Sequence, residues 1–127
     1  METLYLDTHI VIWLREKAVK KLSPFAINAI EQADKIAISP MAALEMQYLY
    51  EINRLIETAD SIIEDLSQMI GLFVDDKDYY ASVQKAYTLK WTRDPFDRMI
   101  SAQAILSQSV LLTKDETILQ HCEYAAF

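Results

Sequence analysis

Four short apolar runs set the limits on what this chain can fold into. They are Thr3–Leu6 (TLYL), Lys35–Ile38 (KIAI), Leu72–Val74 (LFV) and Val110–Thr113 (VLLT). Each is short enough for a strand, too short for a helix of its own, and apolar enough to be buried. Between them lie stretches that carry helix-start signals. Ser23-Pro24, Ser39-Pro40 and Asp94-Pro95 each place a capping side chain just before a proline at the first helical position. Strands that alternate with helices predict an α/β fold with a mostly parallel central sheet. In such a sheet, ligands bind outside the carboxyl ends of the strands.

The helices expected from these signals run from His9 to Leu14, from Pro24 to about Ala33, and from Pro40 through about Leu55. A fourth is expected to be capped by Asp60 and stopped by Gly71, a fifth to span Asp78–Tyr87, and a sixth to begin at Pro95. A short helix follows Asp115, and Tyr124–Phe127 reads as an edge strand. The 127 residues fit one domain, 1–127, in which Met1 leads directly into the first strand. Hydrophobic residues make up 52% of the chain, enough to fill a core without staples.

Several function classes fall away on composition. Gly71 is the only glycine, so no Gly-rich phosphate loop or dinucleotide fingerprint exists. Cys122 is the only cysteine, so no intrachain disulfide forms, in keeping with a reducing cytoplasm. The opening METLYLDTHI has neither a basic leader nor a long apolar run, so no membrane segment or signal is expected. The net charge of −7 argues against a protein that coats nucleic acid by neutralising phosphates. It leaves room for a metal-dependent nuclease, because bound cations reverse the local field. Basic side chains such as Lys90, Arg93, Arg98 and Lys114 then have to lie near the site.

The carboxylates carry the chemistry. Asp7 follows the first strand, Asp115 follows the fourth, Asp94 and Asp97 open the helix before the fourth, and Glu45 sits on the helix after the second among Ala42, Ala43, Leu44 and Met46. The predicted topology gathers them at one edge of the sheet. Hard oxygen donors of this kind suit Mg²⁺ or Mn²⁺. With only His9 and His121 in the chain, no Cys/His constellation competes. The pattern points to phosphoryl transfer assisted by metal. Simpler roles compete for the same residues. Asp7, Asp94 and Asp115 can cap helices, and Asp97 suits a helix dipole; Asp94 reads mainly as a cap standing behind the metal ligands. Asp75, Asp76 and Asp78 read as solvated capping residues. Trp13, Trp91 and Phe96 read as core. For Arg93 and Arg98, surface charge and phosphate contact are equally good readings.

The segments LYLDTHIVIWL, SPMAALEMQYL, WTRDPFDRMISAQA and LLTKDETIL resemble the PIN-domain nucleases, and the VapC-type toxins in particular. The resemblance spans nearly the whole chain, and DPFDR is its most specific piece. It implies a three-layer α/β/α sandwich and a metal-dependent endoribonuclease, the toxin of a toxin–antitoxin pair. It also implies that Asp7, Asp97 and Asp115 hold Mg²⁺ or Mn²⁺, that Glu45 acts beside them, and that the Thr113 hydroxyl helps hold the site. Asp94 is an extra acid typical of the subgroup, and Arg93 and Arg98 are placed to meet RNA. A VapB-type antitoxin is the implied partner. A homodimer is expected because Met46, Tyr48, Leu49, Tyr50 and Ile52 cover more than one face of their helix. Two other readings stay open: a catalytically silent PIN-fold binding module, and a receiver-type phospho-acceptor domain.

Overall fold

A computed structural model describes residues 3–127; Met1 and Glu2, and with them the expected lead-in to the first strand, lie outside the described residues. In chain order the elements are β1 (Thr3–Leu6), α1 (Thr8–Arg15), α2 (Pro24–Gln32), β2 (Lys35–Ile38), α3 (Pro40–Glu51), α4 (Ala59–Ile70), β3 (Phe73–Val74), α5 (Tyr79–Ala86), α6 (Pro95–Ser107), β4 (Leu111–Leu112), α7 (Glu116–His121) and β5 (Ala125–Ala126). A 3-10 turn at Val19–Lys21 joins α1 to α2.

The strands lie in the order β3-β2-β1-β4-β5, and every pairing is parallel. Leu4, Tyr5 and Leu6 are consecutive and all buried. Neighbouring strand residues point to opposite faces, so both faces of the sheet are covered by helices and the fold has three layers. Leu6, Ile38, Leu111, Leu112, Ile10, Ile100 and Ile118 form the best-buried part of the core. Each such side chain contributes about 1.5–3 kcal/mol by leaving water.

From β1 the chain steps to β2 and β3 on one side, then returns to place β4 and β5 on the other. The strand order reverses between β1 and β4, and a crevice opens there at their carboxyl ends. Three expected caps aim helices at or near this edge. Ser23 Oγ accepts from Ala26 N–H at 3.0 Å, Ser39 Oγ from Met41 N–H at 3.0 Å, and Asp94 Oδ1 from the N–H groups of Phe96 and Asp97 at 2.8 and 3.2 Å.

Some boundaries differ from expectation. Helix α3 ends at Glu51 rather than near Leu55. Asn53 turns left-handed, with φ 64°, while Asn53 N–H donates to Tyr50 O at 3.0 Å and Arg54 N–H to Leu49 O at 2.8 Å. This double closure stops a helix, and asparagine tolerates it better than most residues. Helix α4 is capped by Thr58, whose Oγ1 accepts from Ser61 N–H at 3.2 Å, and Asp60 lies within the first turn. The earlier start puts Ala59, Ile62 and Leu66 on one buried face. Gly71 ends α4 with φ 71°, as expected. On α3, Met46 is buried while Leu44, Tyr48 and Tyr50 are exposed, as is Ile52 just past its end, so its apolar residues do cover more than one face. Among the described residues no helix is long and apolar enough to cross a membrane.

Candidate active site

The site grows from the last rung of the β1–β4 ladder. Asp7 N–H donates to Leu112 O at 2.9 Å, which carries Asp7 to the mouth of the crevice. There it caps α1, with Oδ1 accepting from Thr8 N–H at 2.8 Å. Its other oxygen, Oδ2, accepts from the Thr113 hydroxyl at 2.6 Å. Thr113 Oγ1 in turn accepts from Asp115 N–H at 3.0 Å, and Asp115 Oδ1 caps α7 by accepting from Ile118 N–H at 3.0 Å. Asp7, Thr113 and Asp115 are thus set by one hydrogen-bond chain. Asp7 is only 6% exposed. Burial pushes its carboxyl up and outweighs the two hydrogen bonds that pull it down.

Glu45 approaches from α3. Its Oε1 accepts from the Thr8 hydroxyl at 2.5 Å, and Thr8 is fully buried. Burial again raises the carboxyl; the Thr8 bond and His9 act in the opposite sense, while Asp7 and Asp94 add to the rise. Asp97, in the first turn of α6, is pushed up to about 7. Burial is the largest cause, followed by the negative charges of Asp94, Asp7, Asp115 and Glu45. The carboxyls singled out in the sequence therefore act on one another in a single neighbourhood. Like charges raise a carboxyl appreciably only at close range.

A concentration of hard oxygen donors that resists ionisation is the chemistry a divalent cation satisfies. Among the described residues no three of these side chains are drawn into a closed cage. Oxygens of Asp7, Glu45, Asp94 and Asp115 are instead committed to helix N-termini and hydroxyls, which orients those carboxyls individually.

Other residues fall less simply. Arg93 is exposed in the segment before α6. Arg98 is half-buried, and its Nε donates to Thr92 O at 2.8 Å, so part of its guanidinium braces the loop that delivers Asp94. Lys114 lines a cavity of about 300 Å³ together with Asp7, His9, Trp13 and Asp115. Thr8 and His9 had no assigned role, although the Asp-Thr-His run was visible; Thr8 holds Glu45, and His9 lies close enough to lower the carboxyls of Asp7 and Glu45. Asp75 does cap a turn, its Oδ1 accepting from Lys77 N–H at 3.1 Å, but it is only half-exposed and does more than cap. Its carboxylate accepts from the Tyr5 hydroxyl, its backbone oxygen accepts from Gln103 Nε2 at 2.7 Å, and it pins the end of β3 to β1 and α6. Asp76 and Asp78 are exposed, and Asp78 makes no side-chain cap bond to α5. Trp91 stacks flat on His121, with centroids 5.3 Å apart, and packs against the main core and against a smaller cluster of Ala86, Leu89, Met99 and Ala102.

Residues 4–123 match the family model described as the PIN domain. The chain belongs to the PIN-domain family. This PIN domain is 32% identical to "Ribonuclease VapC22" of Mycobacterium tuberculosis over 127 residues, covering 95% of this chain and 93% of that relative. Its fold is similar to that of a chain in the crystal structure of VapBC2 from Rickettsia felis bound to a DNA fragment from their promoter, with a TM-score of 0.66, 16% identity, and 97% and 95% of the two chains covered. A chain in the DNA-bound VapBC structure from Salmonella typhimurium gives a TM-score of 0.62 at 16% identity, covering 98% of this chain and 96% of that one. Family membership removes the receiver-type alternative.

Proposed function

We propose that this PIN domain is a metal-dependent endoribonuclease, the toxin of a toxin–antitoxin pair. The observation that carries the reading is the placing of Asp7 and Asp115 in the β1–β4 crevice, with Asp97 near enough that burial first, and then the charges of Asp94, Asp7, Asp115 and Glu45, lift its carboxyl to about 7. Asp7, Glu45 and Asp97 are costly to ionise there without a cation, and structural roles alone do not call for that cost. The name of the Mycobacterium tuberculosis relative supports the choice of RNA as substrate.

In this reading Asp7, Asp97 and Asp115 hold Mg²⁺ or Mn²⁺. Bound there, such an ion lowers the pKa of water and offsets charge on the phosphate. The rest falls to the chain. Thr113 fixes the rotamer of Asp7, so the carboxylate keeps one direction. Thr8 holds one oxygen of Glu45 and leaves the other to orient the attacking water. Asp94 holds the first turn of α6, and with it Asp97, in place. Arg93 and the free end of Arg98 meet the RNA backbone outside the acids. The expected products carry a 5′-phosphate and a 3′-hydroxyl.

The toxin reading extends to partners. The VapBC complexes with the same fold support an antitoxin of VapB type for this chain. Leu44 and Tyr48 on the exposed side of α3, and Ile52 just past its end, lie four residues apart, a stripe suited to a second copy or an amphipathic segment. Both would meet the chain in the cytoplasm.

The test is cleavage of single-stranded RNA by the purified chain with Mg²⁺ or Mn²⁺, beside Asp7→Asn. Metal-dependent cleavage that Asp7→Asn abolishes, with the fold retained, supports the reading. A folded parent that cleaves no RNA with either metal favours the silent binding module instead.

A further inference from the structure

A second constellation adjoins the acids on the side of α1 and β5. The cavity of about 300 Å³ that holds Asp7 and Asp115 is closed on its other side by His9, Trp13 and Lys114. His9 and Trp13 are one helical turn apart on α1, and their rings meet edge to face at 6.4 Å. Trp13 in turn meets Phe127 at 6.5 Å, again edge to face. Two lysines are laid on these rings. Lys114 Nζ sits over Phe127 at 5.3 Å from its centroid, and Lys21 Nζ sits over Trp13 at 5.6 Å.

Trp13 and Phe127 pack against the core, but core packing accounts for only part of this arrangement. Trp13 and Phe127 are only partly buried, and His9, Lys21 and Lys114 are exposed. In a chain of net charge −7, cations held by aromatic rings beside a carboxylate cluster offset the local negative charge. Aromatic faces next to positive charge are the means by which proteins hold single-stranded nucleic acid, with stacking for the base and a cation for the phosphate. The cavity shares Asp7 and Asp115 with the acids, so whatever fills it lies against the reacting position.

We propose that His9, Trp13 and Lys114, backed by Phe127 and Lys21, form a nucleotide subsite that takes one unpaired ribonucleotide adjacent to the scissile phosphate. The base lies against the His9–Trp13 wall, and Lys114 meets the phosphate. The inference rests on the ribonuclease reading for its substrate. It adds that the enzyme requires an unpaired base at this one position, because a paired base has no face to offer the wall.

Two measurements separate this inference from the reading beneath it. The first is cleavage of a single-stranded RNA by parent, Trp13→Leu and Lys114→Gln. Leucine keeps an apolar, though smaller, side chain against the core, and melting curves confirm that each variant folds. Loss of one stacked base corresponds to about 1–3 kcal/mol, so Trp13→Leu should raise KM roughly tenfold with a smaller change in kcat. Lys114→Gln should raise KM and flatten its dependence on salt. Unchanged KM in both variants, with parental cleavage intact, overturns the subsite and leaves the nuclease standing. The second measurement does not need cleavage. In Trp91→Phe the emission of Trp13 alone is read while a single-stranded oligoribonucleotide is added in chelator. Quenching that saturates, and that a duplex of the same sequence does not produce, supports the subsite even if the parent cuts no RNA. Emission indifferent to the oligoribonucleotide overturns it.

Discussion

The hydroxyl of Thr113 donates to Oδ2 of Asp7 at 2.6 Å, joining two residues 106 positions apart in sequence. The bond bridges the ends of β1 and β4 where the strand order reverses. Both residues are buried, Thr113 fully, so the bond is shielded from competition by bulk water.

Thr113→Val should therefore cost more than a lost surface contact. It leaves a buried carboxylate oxygen unpaired, a cost of about 1–3 kcal/mol. It should also push the Asp7 carboxyl further up, because the bond that lowers it is gone. Thr113→Ser should restore most of both. Urea midpoints of the three proteins check the stability, and RNA cleavage checks the carboxyl. A valine variant as stable and as active as the parent would show that the bond positions nothing.

Asp97 gives the chain an unusual pH dependence. Its carboxyl rises from an ordinary 3.8 to about 7 on folding. Between those values the folded chain keeps a proton that the unfolded chain has lost. Stability in the absence of metal is therefore present at low pH and declines as pH rises toward about 7. Asp97→Asn removes the titration, so its melting temperature should change less between about pH 5 and pH 8 than the parent's does. At the upper end the variant should be the more stable protein. Parallel melting curves for parent and variant across this range would remove the crowding argument.

Asp94 and Asp97 stand three residues apart on the same turn and should respond differently. Asp94 Oδ1 takes two backbone N–H groups, as an asparagine oxygen also does. Asp94→Asn should leave stability within a few tenths of a kcal/mol, whereas Asp94→Ala should cost about 1 kcal/mol. On RNA cleavage the order should be Asp97→Asn far worse than Asp94→Asn. The reverse order would make Asp94 the ligand and Asp97 its support.

Why these acids could be picked out from the chain, and others not, has a physical basis. Asp7, Asp94 and Asp115 each end a buried run or precede a proline, and local chain direction alone sends them to one sheet edge. Glu45 was legible as an acid in apolar company. Its anchor, Thr8, was not, because a threonine after a strand has no periodicity that separates a buried hydroxyl from an exposed one. For Asp75 the expected capping role holds at Lys77 but is incomplete for a related reason. Its neighbours Asp76 and Asp78 are solvated, and only the tertiary approach of Tyr5 and Gln103 distinguishes it. Helix ends followed the same division. Gly71 announces its left-handed turn, whereas Asn53 is unremarkable until the closure around it is seen.

Metal should couple to these charges in a way that activity alone does not reveal. A cation that binds only the folded chain stabilises it by RT ln(1 + [L]/Kd), about 2.7 kcal/mol at a hundredfold excess over Kd. Binding requires the carboxyls ionised, so the proton that Asp97 holds up to about 7 competes with it. Mn²⁺ or Mg²⁺ should accordingly raise the melting temperature strongly at about pH 8 and little at about pH 5, the opposite of the metal-free trend. Asp7→Asn and Asp97→Asn should each abolish most of the rise, while Asp94→Asn should keep it. Calorimetric scans with and without metal at the two pH values give all of these comparisons. A rise that is equal at both pH values, or that survives in Asp7→Asn, would place the ion elsewhere on the chain.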